Sequence, residues 1–207
     1  MAGTAAAANS GTAKTAEGTR DRLVRTASRL MQRGGYENTP VKQLVREAEA
    51  TLGSLYHFFP GGKQELAVAA IHYGDEEFTE LIRGGLRAHA DPALAVEAVA
   101  VLLADALAAS DWRDGCPVTT TALETVGRIP ELQTACAGAF AHWQELVAAK
   151  LLASGHPEQE ARDLAATVIN TLEGAETSAQ VTQSRTPLLV AGRHLARLVT
   201  SYANEAP

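Results

Sequence analysis

The period of the apolar residues is the feature that most constrains the fold of this chain. Leucine, valine, alanine and isoleucine recur at spacings of three and four in one segment after another, beginning with the stripe Leu23, Ala27, Leu30 and Met31. Residues at these spacings share one face of an α-helix and can bury it against a neighbour. Most of the 17 glycines and 8 prolines are expected between these stripes, where helices end. Because alternating strand patterns are nearly absent, the sequence predicts an all-α protein of about nine helices.

Capping residues place the helix boundaries. The pair Thr39-Pro40 predicts the start of a second helix, since a threonine side chain can bind free backbone N–H groups and proline at the first helical position loses no hydrogen bond. Thr51 predicts the N-cap of a short third helix that ends near Phe58, and a long helix begins at Lys63. Asp91-Pro92 predicts an N-cap and helix start in the same way, for a helix over about 92–110. The later helices are predicted to cover a short segment ending at 127, and then 130–154, 157–180 and 186–202.

Charge divides the chain into two parts. Residues 20–63 carry eight Lys or Arg and four Asp or Glu, whereas residues 64–207 carry nine Lys or Arg and nineteen Asp or Glu. A basic module joined to an acidic body is expected when only the module contacts phosphates. Residues 1–18 are rich in Ala, Gly, Thr and Ser without an apolar period, so they are predicted to be a disordered tail.

Several classes of protein are disfavoured by what the sequence lacks. No run of 18 apolar residues or secretory signal is present, which predicts a cytoplasmic protein without a membrane span. Cys116 and Cys136 are not spaced as CxxC, and the six histidines are scattered, so neither a metal site nor a cofactor is expected. Because the sequence has no GxSxG, HExxH, GxxxxGK[ST] or GxGxxG motif, we do not expect an enzyme.

Two short helices joined by a turn form a helix-turn-helix, which places its second helix in the major groove of DNA. The run YENTPVKQLVREAEATLGSLYHFFPGGKQEL resembles the DNA-binding domain of the TetR family of repressors. The resemblance implies a three-helix DNA-binding domain over 19–66 and a helical ligand-binding and dimerisation domain over 67–207. The FPGGK string, with the later Gly115-Cys116-Pro117-Val118, is similar to the LmrA- and YxaF-type branch.

The resemblance also assigns the residues that would contact DNA. It implies phosphate contacts by Thr39, Tyr56, His57 and Lys63. At the start of the third helix, Thr51, Leu52 and Ser54 are predicted to face the base edges, and Gly53 lets the backbone approach the DNA.

Two positions depart from the family pattern. Glu49 stands in the turn where glycine with left-handed geometry is usual, and a non-glycine residue there costs roughly 1 kcal/mol or more. Leu52 stands where a basic residue is usual. Both changes predict weak or unusual operator binding.

For the C-terminal part, the resemblance implies a cavity that takes a small, largely apolar effector. The predicted lining residues are Phe78, Leu107, Trp112, Cys116, Leu123, Phe140, Trp143, Val147, Asn170, Glu173 and Thr177. The last two helices are predicted to form a homodimer interface through the stripes Leu164, Val168, Thr171, Ala175, Ala179 and Leu188, Ala191, Leu195, Leu198, Tyr202.

These features together predict a repressor that binds a double-stranded operator and releases it when the effector binds. The long helix from Lys63, which passes beside Phe78, is the expected lever between the two parts. Two alternatives remain open at this stage: an activator with the same fold, and a DNA-binding or interaction protein that responds to no ligand.

Overall fold

The computed structural model of the protein describes residues 18–203, so the predicted tail lies outside the described residues except for Gly18. Nine α-helices and no strand occur in this range, which confirms the predicted fold class. The helices are α1 (Thr19–Gly34), α2 (Val41–Glu47), α3 (Leu52–Phe58), α4 (Lys63–Ala88), α5 (Pro92–Ala109), α6 (Thr119–Thr125), α7 (Pro130–Ala153), α8 (Glu158–Thr182) and α9 (Thr186–Ala203).

Helices α1, α2 and α3 pack together into an N-terminal head (residues 19–62). Their apolar stripes meet in a small core where Leu23, Leu44 and Leu55 are almost fully buried. Phe59, directly after α3, is also buried and closes this core. The helices predicted from the three-residue and four-residue spacings are therefore present. The buried apolar face of each helix holds it in the head.

Helix α4 joins the head to the rest of the chain, which we call the body. It is 26 residues long and crosses the predicted domain boundary at residue 66 without a break. It packs against α1 in the head and against α5 and α7 in the body. Because one continuous helix belongs to both parts, movement of the body can reach the head.

Helix α5 is the central helix of the body. It is long and apolar enough to cross a membrane by length and composition alone, and it is the one such helix among residues 18–203. Its faces pack against α4 and α9, and Val96, Ala100 and Leu103 are buried there. The core of a helical body explains this composition without a membrane.

Several glycines lie inside helices, and here the expectation that they fall between helices is wrong. A Cβ on Gly85 would lie 2.6 Å from the backbone nitrogen of Val99, and one on Gly192 would lie 2.7 Å from the Cβ of Ala100. Small residues at these points let α4 and α9 approach α5 closely. Packing between helices, rather than helix termination, accounts for these glycines.

The structure confirms two predicted caps and corrects a third. The Thr51 hydroxyl accepts a hydrogen bond from Ser54 N at 3.0 Å, and Asp91 Oδ1 accepts one from Ala93 N at 2.8 Å. Thr39 does not cap α2, because Pro40 occupies the N-cap position. The Thr39 hydroxyl instead donates to the carbonyl of Gly35 at 2.8 Å.

The predicted dimer stripes on α8 and α9 lie largely inside one chain. Six of their ten residues are buried, namely Leu164, Val168, Ala179, Leu188, Ala191 and Leu195. They pack against the rest of the body because α8 contacts α7 and α9 contacts α5. The opposite face of these helices is the exposed one, where Val181 is 79% exposed and Val190 is 37% exposed.

Candidate functional site

Helix α3 has one exposed and one buried face. Thr51, Leu52, Gly53, Tyr56 and His57 are exposed, and Ser54 is partly exposed. On the opposite side Leu55 is completely buried against the head core. The structure thus brings six of the predicted DNA-binding residues together on one short helix and its N-cap.

The N-terminus of α3 is held in place by its own side chains. Thr51 Oγ1 lies 2.9 Å from Ser54 Oγ, in addition to the cap bond from Ser54 N. The chain enters α3 through the extended backbone of Thr51. Short polar side chains at a fixed helix N-terminus can form hydrogen bonds to base edges.

Lys63 begins α4 next to the third helix. Its Nζ lies 4.1 Å from the centroid of the Tyr36 ring, a cation–π contact. Partial burial lowers the pKa of Lys63, while Glu37 and Glu124 act in the opposite direction. Gly62 precedes it with φ of 67°, and a Cβ there would lie 3.2 Å from the Tyr56 ring. Lys63 and Tyr56 therefore flank one turn, but the Lys63 ammonium lies over Tyr36, and a phosphate contact would require it to leave that ring.

Thr39 differs from these residues because its side chain is buried. It is only 1% exposed, and its hydroxyl is committed to Gly35 as described above. Its phosphate contact stays a prediction, and making that contact would require the side chain to leave the Gly35 carbonyl.

The turn between α2 and α3 has the unusual geometry that its sequence predicts. Glu49 has φ of 49°, in the left-handed region. Arg22 of α1 holds this turn, since its Nε donates to the Ala48 carbonyl at 3.1 Å and its Nη2 to the Glu49 carbonyl at 3.4 Å. This role of Arg22 was not predicted, because nothing in the sequence indicates that α1 reaches the turn.

The predicted effector residues separate into an interior group and a surface group. The interior group contains Phe78, Leu107, Cys116, Trp143 and Val147, which are all buried. The Trp143 ring lies 4.6 Å from Phe78 and 5.3 Å from Phe140 between centroids. Trp143 Nε1 is buried without a hydrogen-bond partner among the described residues. This aromatic group bridges α4 and α7.

The surface group does not join that interior group. Leu123 on α6 is 74% exposed, and Asn170 and Thr177 on α8 are exposed as well. The Thr177 hydroxyl donates to the Glu173 carbonyl of its own helix. Trp112 is partly exposed, and Glu173 lies beside Cys116. Asn170, Glu173 and Thr177 share one face of α8 by their spacing, but that face is mostly exposed, and only Glu173 at its edge reaches the interior near Cys116.

Comparison with known proteins identifies both parts of the chain. Residues 23–70 match the model for bacterial regulatory proteins of the tetR family. Residues 92–194 match the model for the C-terminal domain of LmrA/YxaF-like transcriptional regulators. The chain is 34% identical over 180 residues to the uncharacterized HTH-type transcriptional regulator YxaF of Bacillus subtilis, covering 87% of this chain and 94% of that relative. The chain belongs to the TetR family of transcriptional regulators.

Other TetR-family proteins agree with this assignment. The HTH-type transcriptional regulator LmrA of Bacillus subtilis is 33% identical, over 82% of this chain and 90% of its own length. A crystal structure of a TetR transcriptional regulator from Chloroflexus aurantiacus has a TM-score of 0.72 and 28% identity, covering 88% of this chain and 94% of that one. These relatives are named as regulators, which confirms the expectation of a non-enzymatic protein.

In this TetR-family chain, side-chain contacts also fasten the head to the body. Gln32 Nε2 donates to the Gly115 carbonyl at 2.6 Å, and Arg33 forms a two-pronged ion pair with Asp114. Glu124 of α6 accepts a hydrogen bond from Glu37 N at 3.1 Å. These contacts could not be predicted from the sequence, because their partners lie more than eighty residues apart.

The strained turn of this TetR-family head leads to a prediction about stability. Replacing Glu49 with glycine should raise the free energy of unfolding by up to about 1 kcal/mol, since the relief at positive φ exceeds the added flexibility of the unfolded chain. Denaturant unfolding measures this change. Glu49→Ala is the matched control, because it removes the carboxylate but keeps the strain. An equal gain in both variants would show that charge, not backbone geometry, is responsible.

Proposed function

We propose that the chain is a homodimeric, cytoplasmic repressor that binds operator DNA through α2 and α3 and releases it when a small, largely apolar molecule enters the body. The observation that carries the proposal is the exposed face of α3 above the buried Leu55. Thr51 and Ser54 on this face can form hydrogen bonds to base edges, and the neighbouring Tyr56 and Lys63 can contact phosphates.

A two-fold dimer is needed because one head covers only a half-site. Two half-sites must lie about 34 Å, or one helical turn, apart for both heads to reach the same side of the DNA. The exposed apolar residues of α8 and α9, Val181 and Val190, support a partner on that face.

Placing negative charges on this face tests whether it forms the dimer interface. The double variant Val181→Glu with Val190→Glu should weaken self-association by about 100-fold or more, since carboxylates would be buried between the subunits. Sedimentation equilibrium measures the monomer fraction. The control is Leu152→Glu, a 38% exposed leucine on α7, which should leave the dimer intact. A double variant that remains dimeric would place the interface elsewhere.

The effector acts, in this proposal, on the aromatic group between α4 and α7. A ligand shifts the protein away from DNA only if it binds the released state more tightly than the DNA-bound state. Contact with Phe78 would tilt α4, and the head would follow because α4 is continuous into it. Coupling of this kind is reciprocal, so DNA should weaken effector binding by the same factor.

Two experiments separate the alternatives. A reporter driven by the promoter of the chain's own operon should rise when the gene is deleted, whereas a fall would indicate an activator. Compounds that raise the melting temperature are then tested for release of DNA in fluorescence anisotropy. If a saturating compound leaves the DNA affinity unchanged, the lever through α4 is wrong.

A further inference from the structure

The body contains a cluster of side chains with metal-binding chemistry that the sequence spacing did not predict. Cys116 comes from the loop between α5 and α6, and Glu173 and Glu176 come from α8. The sulfur atom and one carboxylate oxygen of each glutamate all lie within 4.8 Å of one another. Only the tertiary fold brings them together.

Two of the three residues are buried, Glu173 is partly exposed, and one carboxylate oxygen lacks a hydrogen-bond partner among the described residues. Cys116 is 7% exposed and Glu176 is 4% exposed. Glu176 Oε2 has no hydrogen-bond partner in the part of the chain that the structure describes. A buried carboxylate oxygen without a partner is costly, and two neighbouring carboxylates raise the cost because their charges repel. A cation between them would offset both terms.

The surrounding groups hold the cluster in a defined orientation. The Thr119 hydroxyl donates to Glu173 Oε2 at 2.7 Å, which fixes that carboxylate. The Val118 N–H donates to the Cys116 sulfur at 3.5 Å. Such outer-shell hydrogen bonds orient ligands in known metal sites.

We propose that Cys116, Glu173 and Glu176 bind one divalent transition-metal ion of the Zn²⁺ type. A thiolate with two carboxylates suits Zn²⁺, whereas Mg²⁺ and Ca²⁺ prefer oxygen ligands alone. Ligand atoms around tetrahedral zinc lie about 3–4 Å apart, so small carboxylate rotations close the site. Three protein ligands leave a fourth position for water or another molecule.

The site is next to the contacts that fasten the head. Cys116 follows Gly115 and Asp114, whose partners are Gln32 and Arg33 of α1. Pro117 packs against Gly74 of α4, where an added Cβ would lie 2.7 Å from the proline Cβ. Metal binding would pull this loop towards α8 and change its hold on α1. This regulatory step rests on the proposed function.

Cobalt titration of the full-length, tag-free, metal-depleted protein tests the site. We expect one Co²⁺ per chain, with thiolate-to-cobalt charge-transfer absorption in the near ultraviolet that Zn²⁺ displaces. Cys116→Ser should abolish this band. Loss of an outer-shell partner lowers metal affinity by about 10-fold or more, and Glu176→Gln, which removes a ligand itself, should lower Zn²⁺ affinity by more than about 10-fold. Cys136→Ser, which removes the other buried cysteine, is the matched control and should change neither property.

Three results would overturn the site: no charge-transfer band in the native protein, a band that survives in Cys116→Ser, or unchanged Zn²⁺ affinity in Glu176→Gln. Circular dichroism checks that each variant is folded. If Cys116→Ser does not fold, the Zn²⁺ affinity of Glu176→Gln alone decides whether the site exists.

Anisotropy with labelled DNA, with and without Zn²⁺, tests the regulatory step. DNA affinity should change by at least about 5-fold in the native protein and not in Glu176→Gln. An unchanged affinity despite bound metal would refute the regulatory step and leave the site standing. Metal binding without any DNA binding would contradict the proposed function rather than the site.

Discussion

Replacing Leu52 with glutamate is expected to weaken DNA binding by about 100-fold, because each of the two heads would lose about 1.4 kcal/mol of binding free energy. Leu52 is 45% exposed at the front of α3, where a carboxylate would face phosphates and base edges. The free energy of unfolding should hardly change, since the side chain is not part of the head core. Anisotropy titration with labelled DNA measures the loss.

Two variants sharpen this test. Leu94→Glu adds the same charge at a leucine of similar exposure on α5, near Ala88 and His89 at the far end of α4 from the head, and should leave DNA binding unchanged. Leu52→Lys should strengthen binding and steepen its salt dependence by about one counterion per head. Equal losses in Leu52→Glu and Leu94→Glu would mean that net charge, rather than α3, governs binding.

Replacing Trp143 with alanine is expected to lower the free energy of unfolding by about 3–5 kcal/mol. The ring is completely buried and contacts Phe78 and Phe140, so its removal leaves a cavity between α4 and α7. Denaturant unfolding measures the change. Trp143→Phe, which keeps a ring and removes the unpaired N–H, should cost less than half as much.

The size of that loss also distinguishes the two possible roles of Trp143. A tightly packed core residue gives the full loss, in which case the effector would contact Phe78 rather than Trp143, whereas a residue that borders an open effector cavity makes fewer contacts and loses less on truncation. A loss of less than about 1 kcal/mol would contradict the core packing described above.

Local features of the fold could be predicted because their causes are local. Thr51 and Asp91 cap helices through bonds to residues two or three positions away, and apolar stripes at helical spacing mark the face that must be buried. The six residues of α3 follow from the same logic, since one short helix with a buried Leu55 leaves only one face outward.

Features that depend on distant contacts could not be predicted. Thr39 is a local exception, because its hydroxyl binds the Gly35 carbonyl four residues earlier instead of capping α2, and the sequence does not show which of the two bonds forms. The sequence could not show which face of α8 meets α7, so buried residues such as Leu164 were expected at a dimer interface. In the same way, Cys116 and Glu176 approach each other only after α8 has packed against the body.

Selection of bound duplexes from a random DNA pool, with the full-length protein at low ionic strength, is the most direct measurement of the central claim that α3 reads DNA. We expect enrichment of an inverted repeat whose half-sites lie about one helical turn apart. Retention of that sequence should fall steeply as salt is added. Failure to enrich any sequence, or retention that does not respond to salt, would contradict this account.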